Sequence, residues 1–179
     1  RVLIVGASAA GLAAAETLRR EGYEGEVTLV GTETHLPYDR PPLSKQILAG
    51  EWEVDRLALR SGDHLAGLGL DLRLGATATR LSIEERAVEL EDGESIGYDA
   101  LIVATGVRPR RLPGDGAHVL RTLGDALALR ERIEPGMRLV VVGAGFLGAE
   151  AAAVARGLGA EVTVLEPAPV PLAHAVGAE

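Results

Sequence analysis

The stretch "LVVVGAGFLGAEAAAVA", residues 139–155, is an apolar run, a glycine-rich turn and the start of a small-residue helix. The chain opens on nearly the same phrase, "RVLIVGASAAGLAAAETL", residues 1–18. In both, a short apolar run bounded by glycine reads as a buried strand. In the first, "RVLIV" leads into "AAGLAAAETLRR", a helix of strong formers closed by Gly22, and then into the strand "GEVTLVG". That is a βαβ unit of roughly thirty residues, the length a parallel crossover needs. The later unit runs "RLVVVGAGFLGAEAAAVARGLGAEVTVLE". An offset of 137 residues, Gly6 to Gly143, is too long for a solenoid and suits two nucleotide-binding modules. The expected fold is α/β with two Rossmann-like dinucleotide-binding βαβ modules.

The glycines explain the expectation. In Gly143-x-Gly145-x-x-Gly148 the first glycine permits the tight turn and the second lets backbone approach a pyrophosphate. The third lets helix and strand pack together, and the helix N-terminus then offers unpaired N–H groups to the phosphates. The second strand of this unit ends in Glu166, a carboxylate placed to accept hydrogen bonds from an adenosine ribose. It would repel a 2′-phosphate, and "PAPVPL" after it carries no Arg, so NADH is expected over NADPH. The first turn differs: Gly6-x-Ser8-x-x-Gly11 puts a side chain at the middle position, tolerable where its hydroxyl bonds a phosphate oxygen. Gly31 stands where the later unit has Glu166, leaving the ribose role to Thr32 or Glu33. Two turns that differ in detail imply two different dinucleotides.

Between the modules, "TETHLPYDRPP" (residues 32–42) is irregular, because Pro37, Pro41 and Pro42 remove donors and fix the backbone. "LSKQILAG" reads as one short helix. "LDLRL", "ATATRLS", "RAVEL" and "YDALIVA" read as strands, with a hairpin turn at Asp92-Gly93. Thr122 with Asp125 forms a capping box for a helix through "ALALRERI", ended by Pro135-Gly136.

Composition narrows the function classes. The chain has 179 residues, 47% hydrophobic and 25% charged, enough to bury a core. Its net charge of −8 argues against nucleic acid or an anionic membrane as partner. With no cysteine there is no disulfide framework, thiolate catalysis or Cys-held cluster in this stretch. The four histidines, His35, His64, His118 and His174, show no ligand spacing, so no metal site is expected. No apolar run of about eighteen residues predicts a membrane span, and a strand at the first residues leaves no signal peptide in view. A cytoplasmic protein is expected, and the missing initial Met suggests a start inside a longer polypeptide.

"LPYDRPPLSK" after the first unit, "DALIVATG" before the linker, "LRTLGDA" and the second glycine turn together resemble the FAD-dependent NADH–ferredoxin (or rubredoxin) reductases. These belong to the pyridine nucleotide-disulfide oxidoreductase superfamily and serve cytochrome P450 and ring-hydroxylating dioxygenase systems. "RPPLSK" at that spacing is far more specific than either glycine turn. The resemblance implies FAD at the first site, NADH at the second, and electrons leaving singly to a [2Fe–2S] ferredoxin. Carried over by position, the FAD pyrophosphate falls on the backbone from Gly6 through Ser8, Ala9 and Ala10 to Gly11. Thr32 and Glu33 take the adenosine ribose; the family usually has an aspartate where this chain has Thr32. Arg40 follows, and Lys45 is placed near the isoalloxazine ring, where a cation stabilises the negative charge of reduced flavin. Ala78 offers backbone to the adenine, Thr105 and Gly106 lie against FAD, and Arg121 contacts it too. In the NADH module Gly143, Gly145, Phe146, Leu147 and Gly148 form the turn, Glu150 faces the nicotinamide side and Glu166 the ribose.

The lack of cysteine separates this chain from the disulfide reductases of the superfamily, whose redox-active pair lies in the first module. The implied division is an N-terminal part of the FAD domain over residues 1–113 and the start of an NADH domain over 114–179. The family's returning FAD segment and C-terminal domain are not within these residues, so the second module is expected to be incomplete and the chain an N-terminal fragment. Alternatives from the same resemblance are a rubredoxin or nitrite reductase flavoprotein module, or a flavoprotein like apoptosis-inducing factor without a dedicated ferredoxin.

Overall fold

The structure is a computed structural model that describes residues 1–114, 116–172 and 177. In chain order its elements begin with β1 (Val2–Val5), α1 (Ala9–Arg20) and β2 (Val27–Gly31). A 3₁₀ turn (Pro41–Ser44), α2 (Gln46–Ala49), a second 3₁₀ turn (Val54–Leu57) and α3 (Gly62–Gly67) follow. Then come β3 (Asp71–Leu74), β4 (Ala78–Ser82), β5 (Ala87–Leu90), β6 (Ser95–Gly97) and β7 (Ala100–Val103). The chain continues through α4 (Leu123–Arg130), β8 (Arg138–Val142), α5 (Phe146–Gly157) and β9 (Glu161–Leu165). Contacts divide it into two units, Arg1–Asp39 with Ala58–Val107, and Arg40–Leu57 with Arg108–Glu179.

The first unit is built on a four-stranded parallel sheet in the order β3-β2-β1-β7. A strand covered on both faces needs apolar residues at every position, and β1 is buried throughout. On one face Ile4, Val27 and Leu29 pack with Ala15 of α1. On the other, Leu3, Val5 and Val30 pack with Val88 and Leu90, from the antiparallel sheet β4-β5-β6. Helix α1 stops where Gly22 turns left-handed (φ +83°). Tyr23 N–H then donates to Leu18 and Gly22 N–H to Arg19, which satisfies the last carbonyls. Arg19 fastens this end further, its guanidinium donating to the carbonyls of Leu68, Tyr23, Gly25 and Gly69 at 2.7–3.0 Å.

The second unit pairs β8 and β9 in parallel, with α5 crossing between them. Aligning Gly6 with Gly143 makes Val140 and Val142 the counterparts of Leu3 and Val5. The strand register, Val5 opposite Val30 and Val142 opposite Leu165, makes Leu165 the counterpart of Val30. Leu3, Val5 and Val30 are 1%, 9% and 1% exposed under β4–β6, whereas Val140, Val142 and Leu165 are 56%, 55% and 52% exposed. One face of this sheet is thus bare among the described residues. The capping box at α4 is present in both directions: Thr122 Oγ1 accepts from Asp125 N–H, and the Asp125 carboxylate from Thr122 N–H. The helix ends at Arg130, short of Pro135.

Two local expectations change. "LSKQILAG" is not one helix; it breaks at Lys45 (φ −121°, ψ −103°) between the first 3₁₀ turn and α2. The Asp92-Gly93 turn does join two strands, but the second is β6, too short and too polar to stand out by its pattern. Helix α3, which no pattern in the sequence marks, buries Leu65 alone among its six residues and is capped by Ser61, whose Oγ accepts from His64 N–H.

Candidate dinucleotide sites

In the first unit the turn between β1 and α1 brings the chain back on itself. Gly6 holds φ +122°, and a Cβ there would lie 2.1 Å from the Ala104 carbonyl and 3.0 Å from Thr105 N. Only glycine fits, and its fit lets the end of β7, at Ala104 and Thr105, close on the turn, with Gly106 (φ +68°) following. A Cβ on Gly11 would lie 1.9 Å from the Gly6 carbonyl, so this glycine sets how closely α1 approaches the strand. The first helical bond runs from Leu12 N–H to Ser8, which leaves the amides of Ala9, Ala10 and Gly11 without an intrahelical acceptor. Ser8 is the N-cap residue, yet its hydroxyl makes no capping bond. An anion meeting this turn finds free amides and an uncommitted hydroxyl, so the cradle fits a pyrophosphate.

Gly31 has a physical reason too: a Cβ there would lie 2.5 Å from the Ala7 Cβ, so no carboxylate can occupy that position. Thr32 is exposed, and Glu33 is half-buried with its Oε2 accepting from Tyr38 Oη–H at 2.5 Å. Ala78 opens β4 opposite Leu90. Gly75, Ala76, Thr77, Leu90, Glu91 and Asp92 line a hollow of about 210 Å³ next to it.

The second unit repeats the turn with Gly145 where the first has Ser8, and a Cβ on Gly143, unlike one on Gly6, meets nothing within 4 Å. A Cβ on Gly148 would lie 1.9 Å from the Gly143 carbonyl, matching Gly11 on Gly6, while one on Gly145 meets nothing within 4 Å. The middle glycine therefore faces open space, as a site for an approaching ligand requires. The first helical bond, Ala149 N–H to Gly145, leaves the amides of Phe146, Leu147 and Gly148 without one. Phe146 and Leu147 are exposed at the helix start. Glu166 does more than end a strand: its Oε2 accepts from Ala144 N–H at 2.6 Å and its Oε1 from Ala168 N–H at 2.9 Å. The carboxylate holds the glycine turn in shape, a role that spacing alone did not reveal.

The second unit also joins residues far apart in sequence. Lys45 Nζ lies 2.6 Å from Glu150 Oε2, and Ser44 Oγ donates to the same oxygen at 2.6 Å. The Lys45 bond, then the Ser44 bond, holds the Glu150 carboxyl below the usual carboxylate range. Arg40 Nη1 donates to the Arg121 carbonyl at 2.7 Å, and Arg121 N–H to Asp125 Oδ2, so both arginines gather at the α4 cap. Sequence reasoning missed Ser44 and Tyr38. Ser44 sits inside the quoted "RPPLSK", but only the fold shows where its hydroxyl goes.

The histidines lie elsewhere. His35 meets Tyr38 edge-on, His64 pairs with Glu16 and His118 with Arg132. His174 lies outside the described residues. No helix among the described residues is long and apolar enough to cross a membrane.

A family model described as pyridine nucleotide-disulphide oxidoreductase matches residues 1–179. The biphenyl dioxygenase system ferredoxin–NAD(+) reductase component of Paraburkholderia xenovorans (strain LB400) is 43% identical over 170 residues, 92% of this chain and 41% of that protein. Among solved structures, the ferredoxin reductase for the CYP199A2 system from Rhodopseudomonas palustris superposes with a TM-score of 0.91. It is 38% identical, with 98% of this chain and 44% of that one covered. The reductase of a covalent putidaredoxin reductase–putidaredoxin complex gives 0.90 at 39% identity, over 97% of this chain and 43% of that one. The chain thus spans less than half the length of the relatives it matches.

Proposed function

We propose that this chain, which belongs to the pyridine nucleotide-disulphide oxidoreductase family, is the nucleotide-binding part of an NADH-dependent, FAD-containing ferredoxin reductase. Residues 1–113 contribute to the FAD domain in this reading and residues 114–179 to the NADH domain. The partner is a [2Fe–2S] ferredoxin that serves a P450 or ring-hydroxylating dioxygenase, in the cytoplasm. The relatives' names support this acceptor: one is a dioxygenase-system ferredoxin reductase, another was solved with putidaredoxin.

The observation that carries the reading is the Lys45–Glu150 pair. It ties the "RPPLSK" segment to the helix of the NADH-type turn, so a group bound against one is sensed by the other. Bound FAD would supply the two-electron to one-electron conversion that NADH and an iron–sulfur protein require. The chain's own residues divide the remaining work. The amides of Ala9, Ala10 and Gly11, with Ser8 Oγ, bind the FAD pyrophosphate; Thr32 and Glu33 face its ribose. Arg40 and Arg121 add positive charge, and Ala78, Thr105 and Gly106 add backbone contacts. The amides of Phe146, Leu147 and Gly148 bind the NADH pyrophosphate while Glu166 receives the ribose hydroxyls. Lys45 supplies the cation against negative charge on the flavin, and Glu150 keeps that cation oriented. With no cysteine in these residues, no internal dithiol takes the electrons here, which suits delivery to a separate carrier.

The test is anaerobic addition of NADH to the holoenzyme with a plant-type or bacterial [2Fe–2S] ferredoxin. Loss of flavin absorbance followed by ferredoxin reduction is expected. Flavin reduction with no transfer to any [2Fe–2S] ferredoxin, but transfer to a rubredoxin, would move the assignment to that acceptor.

A further inference from the structure

Ser44 and Lys45 are consecutive residues, yet both bond one oxygen of Glu150. Neighbouring residues of a regular helix point about 100° apart and do not face a common target. The backbone break at Lys45 removes that restriction, since Ser44 ends a 3₁₀ turn and Lys45 begins the approach to α2. Ser44 is 1% exposed. Its Oγ lies 2.6 Å from Glu150 Oε2 but 3.4 Å from the Pro41 carbonyl, so its single proton is directed to the carboxylate. The Lys45 side chain is long and 38% exposed, whereas Ser44 has one short arm in a packed site. Of the two partners, the serine is the fixed one.

We infer that Ser44 is a positioning residue: its buried hydroxyl orients the Glu150 carboxylate so that Lys45 can pair with it. The inference rests on the reductase reading for its consequence, because that reading makes Lys45 the cation beside the flavin. With both donors on Oε2, the carboxylate cannot rotate without losing both bonds. Among the described residues, the charge that faces Glu150 is Lys45. Helix α2 carries no titratable side chain, and Arg138 and Glu161 of β8 and β9 belong to the sheet face turned away from α5.

The experiment labels glutamate δ-carbons with ¹³C in the FAD-loaded holoenzyme, with Glu150→Gln assigning the resonance. Wild type, Ser44→Ala and Ser44→Thr are titrated, and NADH oxidation is followed on the same samples. Glu150 should titrate below ordinary glutamates in wild type, higher in Ser44→Ala, and low again in Ser44→Thr, which restores a hydroxyl. Hydride transfer from NADH should fall about tenfold in Ser44→Ala, the size of one hydrogen bond to a charged group. Ser44→Ala removes one oxygen and no packing carbon, so a general loss of fold would not imitate a shift confined to Glu150. An unchanged Glu150 titration in Ser44→Ala overturns the inference, as does an ordinary titration in wild type. The titration needs no electron acceptor, so a failure of ferredoxin reduction would count against the reductase reading alone.

Discussion

Alanine at Gly148 and alanine at Gly145 should fail in opposite ways. At Gly148 the new Cβ would sit 1.9 Å from the Gly143 carbonyl oxygen, where real contacts do not come under 3.0 Å. The obstacle is backbone, so α5 must retreat from β8 by about 1 Å. Overpacking of this kind costs about 1–3 kcal/mol, and the helix-propensity gain of Ala over Gly returns up to about 1 kcal/mol. The turn's amides and Glu166 shift with the helix, so the net loss should fall near 2 kcal/mol. For a chain of this size that is a fall in Tm of about 4–8 °C. At Gly145 the backbone is extended (φ −76°) and the Cβ meets nothing within 4 Å, so stability should hold within about 0.5 kcal/mol. If the proposed NADH site is correct, the methyl group occupies the space of the pyrophosphate, and NADH affinity should drop at least about tenfold. Thermal unfolding with and without NADH, and the Kd for NADH of each variant, measure both. If Gly145→Ala lowers Tm as much as Gly148→Ala, or binds NADH like wild type, the division of labour between the glycines is wrong.

Glu166→Ala should weaken NADH use and narrow the NADH/NADPH ratio of kcat/KM by about tenfold, since charge-assisted bonds to the ribose contribute about 1.5–3 kcal/mol. It should also cost some stability, because Ala144 N–H and Ala168 N–H lose their acceptor; an unmoved cofactor ratio would remove Glu166 from the ribose site. Lys45→Met should lower the flavin midpoint potential by roughly 30 mV, about 1.4 kcal/mol for a two-electron couple, and slow hydride transfer with FAD occupancy little changed. A potential equal to wild type would return Lys45 to a surface role. Burial alone would push the Glu16 carboxyl up, but hydrogen bonds from Arg60 and His64 outweigh it and leave the group below its ordinary value. Its contribution is therefore complete above the unfolded-state value and lost as pH falls through the folded one. Urea unfolding of wild type and Glu16→Gln should differ by under about 1 kcal/mol near neutrality and converge in acid; divergence in acid would contradict the pairing.

The βαβ units were legible because their signal is local. An apolar run, a glycine and a small-residue helix are all set by neighbours in sequence, and α1 spans the residues its pattern marks. The capping box at Thr122 and Asp125 was legible for the same reason. The segment around Lys45 was not, because its break serves a contact with Glu150, 105 positions away. Glu166 shows the mixed case. Spacing located the carboxylate, but its bond to Ala144 depends on β9 pairing in register with β8, and that bond makes it part of the turn. Gly31 is the mirror image: its missing side chain looked like an exception, and Ala7 against it is the steric cause.

The bare face of the β8–β9 sheet gives the two βαβ halves unequal lifetimes. Backbone amides of β1 and β2 lie between two apolar layers, so exposing them to exchange with deuterium requires opening most of the first unit. The amides of β8 and β9 lie in a two-stranded sheet backed on one side by α5, and two strands alone are marginal in water. Local fluctuations suffice to open them. In residues 1–179, hydrogen exchange should therefore run through the second unit long before the first. Any polypeptide that settles over Val140, Val142 and Leu165 would slow that exchange and, by tightening the strand ends that carry Gly143 and Glu166, steady the second glycine turn as well.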